Sequence, residues 1–102
     1  MNGIRLTFKE ARLQHHITLC NLIEDTRIDP RAVLLMDTHN LGTPEHIDQL
    51  LASLTRLSGI EYSRRAKNIG DVTFKLHPDY DSISEDEARL QIESDQQAQV
   101  IL

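Results

Sequence analysis

Aromatic residues are scarce in this sequence of 102 residues, which holds two Phe, two Tyr and no Trp. Proteins that bind single-stranded nucleic acid usually stack bases on several aromatic side chains. Small-molecule pockets are commonly lined by aromatic side chains as well. The sequence therefore offers little material for either kind of site. The four aromatic residues are Phe8, Tyr62, Phe74 and Tyr80.

Cysteine is also nearly absent, since Cys20 is the only one. A single thiol excludes an intramolecular disulfide and a zinc site built from thiolates, and it is typical of a reducing compartment. No apolar run is long enough for a signal peptide or a membrane span. Glycine-rich phosphate loops, G-x-S-x-G elbows and C-x-x-C pairs are missing too. We therefore expect a cytoplasmic protein with no cofactor, no metal site and no membrane partner.

Charge is present but unevenly distributed, and the formal net charge is −5. Residues 1–67 hold nine basic and eight acidic side chains, whereas residues 68–102 hold two basic and eight acidic ones. An acidic C-terminal third repels phosphate backbones and favours basic partners. The charge distribution therefore indicates a protein partner ahead of nucleic acid.

The N-terminal third predicts a strand followed by a helix. Ile4, Leu6 and Phe8 alternate with polar residues, which predicts a half-buried strand over 3–8. Residues 10–26 change to a period of about 100° per residue and predict one amphipathic helix. It should end before Asp29-Pro30, because a residue that precedes proline is pushed out of the α region. The apolar arc of this helix comprises Leu13, His16, Ile17, Leu19, Cys20 and Ile23.

A second helix is predicted over 44–58. Thr43 is a suitable N-cap, Pro44 occupies the first helical position, and Gly59 supplies a left-handed stop. Its apolar residues follow the i, i+3, i+4, i+7 spacing. They are Ile47, Leu50, Leu51, Leu54 and Leu57.

The C-terminal half predicts a hairpin and a final helix. Residues 60–62 and 72–76 alternate in polarity around Gly70-Asp71, which indicates a hairpin. Ser84 and Glu87 form a capping-box pattern before a helix over 85–96, and a short strand over 98–102 follows. Residues 88–102 also alternate in a way that would suit two strands.

The stretch "IDPRAVLLMDTHNLGTPEH", residues 28–46, allows two interpretations. A buried strand over 32–36 gives the order of a ferredoxin-like βαββαβ unit over about 32–102, preceded by a strand and an amphipathic helix. A helix starting at Asp29-Pro30 gives a winged helix instead, with 44–58 as recognition helix. Glu45 and Asp48 suit DNA phosphates poorly, and the winged helix leaves 84–102 without a place. We therefore predict a single α+β domain of ferredoxin-like type over 1–102, with the winged helix as the alternative.

Residues 22–62, "LIEDTRIDPRAVLLMDTHNLGTPEHIDQLLASLTRLSGIEY", resemble the family called regulator of ribonuclease activity B. The likeness lies in an acidic helix end, Asp-Pro, a strand, a helix, and then Gly and a strand. The resemblance implies a ferredoxin-like, non-catalytic protein that binds and restrains a nuclease complex. The family's long acidic tail is missing here. The matching positions are Asp25, Asp29, Pro30, Val33, Leu35, Gly59 and Ile60.

Two groups of side chains could carry chemistry. Asp37, His39 and His46 are of types that ligate metals, although their spacing is not diagnostic and loop histidines are more often solvated. They support a third hypothesis, a small enzyme with a loop site. Another group steps i, i+4, i+8 along the predicted first helix, where its first two members would be buried in the core. It comprises His16, Cys20 and Glu24.

Two charged clusters remain as candidate contact surfaces. We expect a non-catalytic regulatory domain of inhibitor or adaptor type that binds another macromolecule, with a protein as the favoured partner. A winged-helix nucleic-acid binder is the alternative function, and the sequence does not indicate an oligomeric state. The candidate partner-binding residues are Arg64, Arg65 and Lys67 in the basic cluster, and Asp79, Asp81, Glu85, Asp86 and Glu87 in the acidic segment.

Overall fold

The computed structural model describes the backbone of residues 5–101 and the side chains of residues 5–97. Helices are the main secondary structure within this range, and a short 3₁₀ turn at Tyr80–Ser82 precedes the last of them. The helices are α1 at Phe8–Gln14, α2 at Leu19–Thr26, α3 at Pro30–His39, α4 at Pro44–Ser58 and α5 at Glu85–Ile101.

The predicted helix over 10–26 is in fact two helices. A capping box of Thr7 and Glu10 starts α1, and a second box of Thr18 and Asn21 starts α2. Between them His16 takes a left-handed backbone conformation with φ of 56°. The periodicity continues across the break because both helices pack on one core, so the local caps decide the boundary.

The predicted strand over 32–36 is wrong, because these residues lie inside α3. Asp29 caps the helix by accepting a hydrogen bond from the Arg31 N–H, and Pro30 occupies the first turn. Every residue from 30 to 37 except Arg31 is buried. A helix that is apolar on nearly all sides reads as a continuous apolar run, as a central strand does. The helix interpretation of Asp29-Pro30 was the correct one.

The helix predicted over 44–58 is confirmed as α4. The Thr43 hydroxyl accepts a hydrogen bond from the His46 N–H at 3.2 Å. Gly59 ends the helix with φ of 81°, a conformation that favours glycine.

The predicted strands are also wrong within residues 5–101. Leu6 pairs with Ile69, and Leu41 pairs with Thr73, in two isolated parallel bridges. Residues 60–76 therefore form no hairpin, because their pairing partners lie elsewhere in the chain. The segment that was expected as a strand over 3–8 becomes an extended stretch leading into α1, and its residues 3–4 lie outside the described part.

The last helix is longer than predicted. Its backbone continues to Ile101, so the strand predicted over 98–102 is wrong for 98–101, and residue 102 lies outside the described range. The Ser84 hydroxyl accepts a hydrogen bond from the Glu87 N–H at 3.0 Å, as the capping pattern predicts. The fold is accordingly neither the predicted ferredoxin-like α+β domain nor a winged helix, because residues 5–101 are mainly helical and contain no sheet.

Helix α3 lies at the centre of the helical arrangement and contacts α1, α2, α4 and α5. Most of the buried apolar side chains form one cluster around it. Within residues 5–101, none of the helices combines the length and apolar character needed to cross a membrane.

Candidate functional site

Asp37, a member of the predicted loop site, forms a buried ion pair with Arg12. The Arg12 guanidinium donates from Nε to Asp37 Oδ1 at 2.9 Å and from Nη2 to Oδ2 at 3.2 Å. Its Nη1 donates to the Ile17 carbonyl oxygen at 3.0 Å. The side-chain exposures of Arg12 and Asp37 are 0% and 2%. The pair therefore ties α1 to α3 and holds the turn between α1 and α2.

The other two members of that predicted site take different partners. His39, at the end of α3, stacks on His77 with ring centroids 4.7 Å apart. His46 is in the first turn of α4, and its Nδ1 is buried without a hydrogen-bond partner among the described residues. In the part of the chain that the structure describes, no three His, Cys, Asp or Glu side chains are grouped to hold a metal ion.

The second predicted group also separates. His16 lies exposed in the turn after α1, so its expected core position is wrong, while Cys20 and Glu24 are on α2. Cys20 is half-buried and contacts α5: its N–H donates to Gln96 Oε1 at 2.6 Å, and Gln96 Nε2 donates to its sulfur at 3.0 Å. This contact explains Cys20 as a packing residue between two helices.

The basic cluster is partly neutralised. Arg64 donates two hydrogen bonds to the Asp48 carboxylate, at 2.6 and 2.9 Å, and its guanidinium lies over the Phe74 ring. Arg65 and Lys67 are exposed and have no ion-pair partner among the described side chains. The cluster therefore offers two cations to a partner rather than three.

All five residues of the acidic segment are exposed. Asp79 lies 3.7 Å from His77, and Glu85 lies 4.0 Å from Arg89. The other three carboxylates form no ion pair within 4.0 Å among the side chains of residues 5–97. They are Asp81, Asp86 and Glu87.

A cleft of about 240 Å³ lies beside the acidic segment. One wall is a face of α3, the other is the chain from His77 to Ile83, and Gln91 of α5 closes it. Its lining is mostly apolar. The lining residues are Arg31, Leu34, Leu35, Thr38, His39, His77, Asp79, Tyr80, Ile83 and Gln91.

Arg31 fixes one end of the cleft. It donates from Nη2 to Asp29 Oδ2 at 2.6 Å and from Nη1 to the Ile83 carbonyl oxygen at 3.3 Å, while its guanidinium lies 5.2 Å from the centre of the Tyr80 ring. The hydrogen bond from Arg31 holds the pKa of the Asp29 carboxyl below its usual value. Burial raises the pKa of Tyr80, and the negative charge of Asp29 raises it further. Arg31 thus anchors the outer wall to α3.

The other end carries the two stacked imidazoles. The Asp79 N–H donates to His77 Nδ1 at 3.1 Å, so a neutral His77 ring carries its proton on Nε2. On α5, Gln91 Nε2 donates to the Asp95 carboxylate at 3.0 Å. Glu87 lies one turn before Gln91 on the same side of the helix. Carboxylates therefore flank the cleft along α5 and along its outer wall.

Sequence reasoning missed this cleft. The positions that α3 presents to it are 31, 34, 35, 38 and 39, which share one helical face at the i, i+3, i+4, i+7, i+8 spacing. That signal was readable only if residues 30–39 were taken as a helix. His77 and Tyr80 reach the cleft through tertiary packing, and no local pattern marks them.

The chain matches no family model, no curated protein and no solved structure. The ferredoxin-like fold implied by the resemblance at residues 22–62 is wrong for this chain, because the strand expected at 32–36 lies inside α3 and residues 5–101 contain no sheet.

Proposed function

We propose that this protein is a non-catalytic binding domain that captures another protein through its acidic segment, as an inhibitor or adaptor does. The observation that carries the proposal is the exposed run of five carboxylates over 79–87, which contains no basic residue. A surface of this kind raises the association rate of a basic partner and suppresses acidic ones.

Support for a protein partner over nucleic acid comes from charge. The net charge is −5, and the positive charge of Arg64 is neutralised by an ion pair with Asp48. The long-range field therefore opposes a phosphate backbone, on which nucleic-acid affinity largely depends. We place the domain in the cytoplasm, since its one cysteine suits a reducing compartment.

Several side chains that could have carried a reaction are engaged in structural contacts. Asp37 forms an ion pair with Arg12, and the Cys20 sulfur accepts a hydrogen bond from Gln96. His39 stacks on His77 at the edge of the cleft. These contacts give Asp37, Cys20 and His39 structural roles, which supports a binding domain.

Affinity capture from host lysate, with and without nuclease, tests the proposal. We expect a stoichiometric protein that survives nuclease treatment. Reversing three unpaired charges, Asp81→Lys, Asp86→Lys and Glu87→Lys together, should weaken its capture by about 10-fold or more, because rim charges steer association. Pull-down titration followed by mass spectrometry measures this change.

A second triple variant is the matched control. Glu24→Lys, Glu45→Lys and Glu61→Lys changes the net charge equally at exposed carboxylates on other parts of the surface. Its capture should stay close to that of the wild-type protein. Equal weakening in both triple variants would show that only net charge matters. A catch that disappears with nuclease would replace the proposal with nucleic-acid binding.

A further inference from the structure

We propose that the cleft between α3 and residues 77–83 is an anchor pocket that takes one apolar side chain from a partner segment whose neighbouring residues are Lys or Arg. This inference rests on the proposed function, because it identifies the part of a basic protein that the acidic surface would hold. It names the partner by chemistry: a short basic segment with a Leu-sized or Met-sized residue at its centre.

The size and lining of the cleft indicate a single side chain. Its volume of about 240 Å³ lies below the roughly 300–1,000 Å³ typical of small-molecule sites. Leu34, Leu35 and Ile83 supply apolar surface. Anchor residues at protein interfaces commonly fill pockets of this kind, with polar groups around the rim.

The charge at the rim selects the residues that flank the anchor. Arg31 is the cation in the lining, and Asp29 neutralises it through Nε and Nη2. The rim also carries Asp79 on the outer wall, with Asp81 two residues further along. Negative charge therefore predominates around an apolar centre. Lys or Arg beside an apolar anchor complements this arrangement.

Helix α5 extends the same pattern on its own side. Gln91 lines the cleft, and Glu87 and Asp95 lie one turn before and after it. A bound segment would thus meet carboxylates on both sides of the anchor. Ala88 and Ile92 of the same helix are buried in the core, so the position of this row is fixed.

The cleft is held open by contacts within the protein. Arg31 joins Asp29, the Ile83 carbonyl and the Tyr80 ring, and these contacts link the outer wall to α3. His77 stacks on His39 at the opposite end. Because both ends are fixed before binding, the cleft loses less conformational entropy when a partner binds.

A pair of labelled peptides tests the inference. The first is Gly-Lys-Lys-Leu-Lys-Lys-Gly, and the second replaces its Leu with Ala. Fluorescence polarisation with the full chain should show that the Leu peptide binds at least about 10-fold more tightly, because only it fills the cleft. Thr38→Trp, at an exposed position in the lining, should abolish this difference and leave the affinity for the Ala peptide unchanged.

Further variants separate the two proposals. Gln91→Trp, on α5, should act as Thr38→Trp does and guards against a folding defect in either one. Ala52→Trp, exposed on α4, is the matched control and should bind both peptides as the wild-type protein does. The triple charge reversal at Asp81, Asp86 and Glu87 should lower the affinity for both peptides by a similar factor.

Three results would overturn the anchor pocket. If the two peptides bind with equal affinity and the charge reversal weakens the binding of both, the acidic surface binds basic segments but the cleft is not an anchor pocket. No binding of either peptide would remove the basic-segment partner, and capture from lysate would then decide the proposed function separately. A dimer in sedimentation that Thr38→Trp dissociates would assign the cleft to a second copy of this chain.

Discussion

Replacing Arg12 with Met should lower the free energy of unfolding by about 3–5 kcal/mol, because the change leaves the Asp37 carboxylate buried without its cation. Asp37 has a side-chain exposure of 2% and receives two hydrogen bonds from Arg12. The Ile17 carbonyl oxygen would also lose a donor. Urea unfolding followed by circular dichroism measures the loss.

Two companion variants show whether burial is the cause. Arg64→Met removes the cation of an exposed pair with Asp48, and its cost should stay below about 1 kcal/mol. Arg12→Met combined with Asp37→Leu should recover part of the lost stability, because no charge then stays buried. A double variant that is less stable than Arg12→Met alone would show that the pair does not act through this charge.

Replacing Phe8 with Ala should cost about 3–5 kcal/mol, the range for large core aromatics. Phe8 is 0% exposed and begins α1. Its removal leaves a cavity at the point where α1 meets the central cluster. Urea unfolding is again the measurement.

Phe74→Ala is the matched control, since it makes the same chemical change at a side chain that is 50% exposed. Phe74 contacts the Arg64 guanidinium, and losing such a contact at an exposed site costs about 0.5–1 kcal/mol. If the two Phe→Ala variants lost equal stability, the position of Phe8 in the core would be wrong.

The sequence predicted the parts of the fold that depend on local signals. Helix α4 carries a cap, a proline in its first turn, a regular apolar face and a terminal glycine, and its predicted bounds agree with the structure. The Ser84 cap of α5 is local as well. Such signals are sufficient when one face of a helix is exposed to water.

The central helix could not be recognised from periodicity. Residues 32–36 are buried on every side, so no polar face shows the period of 3.6 residues. A strand at 32–36 implies an α+β order of elements for the rest of the chain, so the error in this one segment led to the wrong fold class. The Asp29-Pro30 start was the correct local signal, and tertiary burial obscured it. The break at His16 was missed for a related reason, since both helices around it face one core.

Exposure of the acidic segment was predictable from composition, whereas the cleft beside it was not. The five carboxylates between Asp79 and Glu87 are close in sequence, so composition alone groups them. Arg31, Tyr80 and Gln91 come from three elements and meet only in the folded chain. The charge of the candidate site was therefore readable in advance, and its apolar centre was not.

The most direct test of the acidic surface is an amide chemical-shift titration of the isotope-labelled protein with its captured partner. We expect the largest shifts at residues 79–91, with further shifts along 34–39 of α3, because these segments form the acidic rim and the cleft. Residues 60–68, which carry the basic cluster, should change little. Largest shifts at residues 60–68 or along α4 would contradict the account and place the binding surface elsewhere.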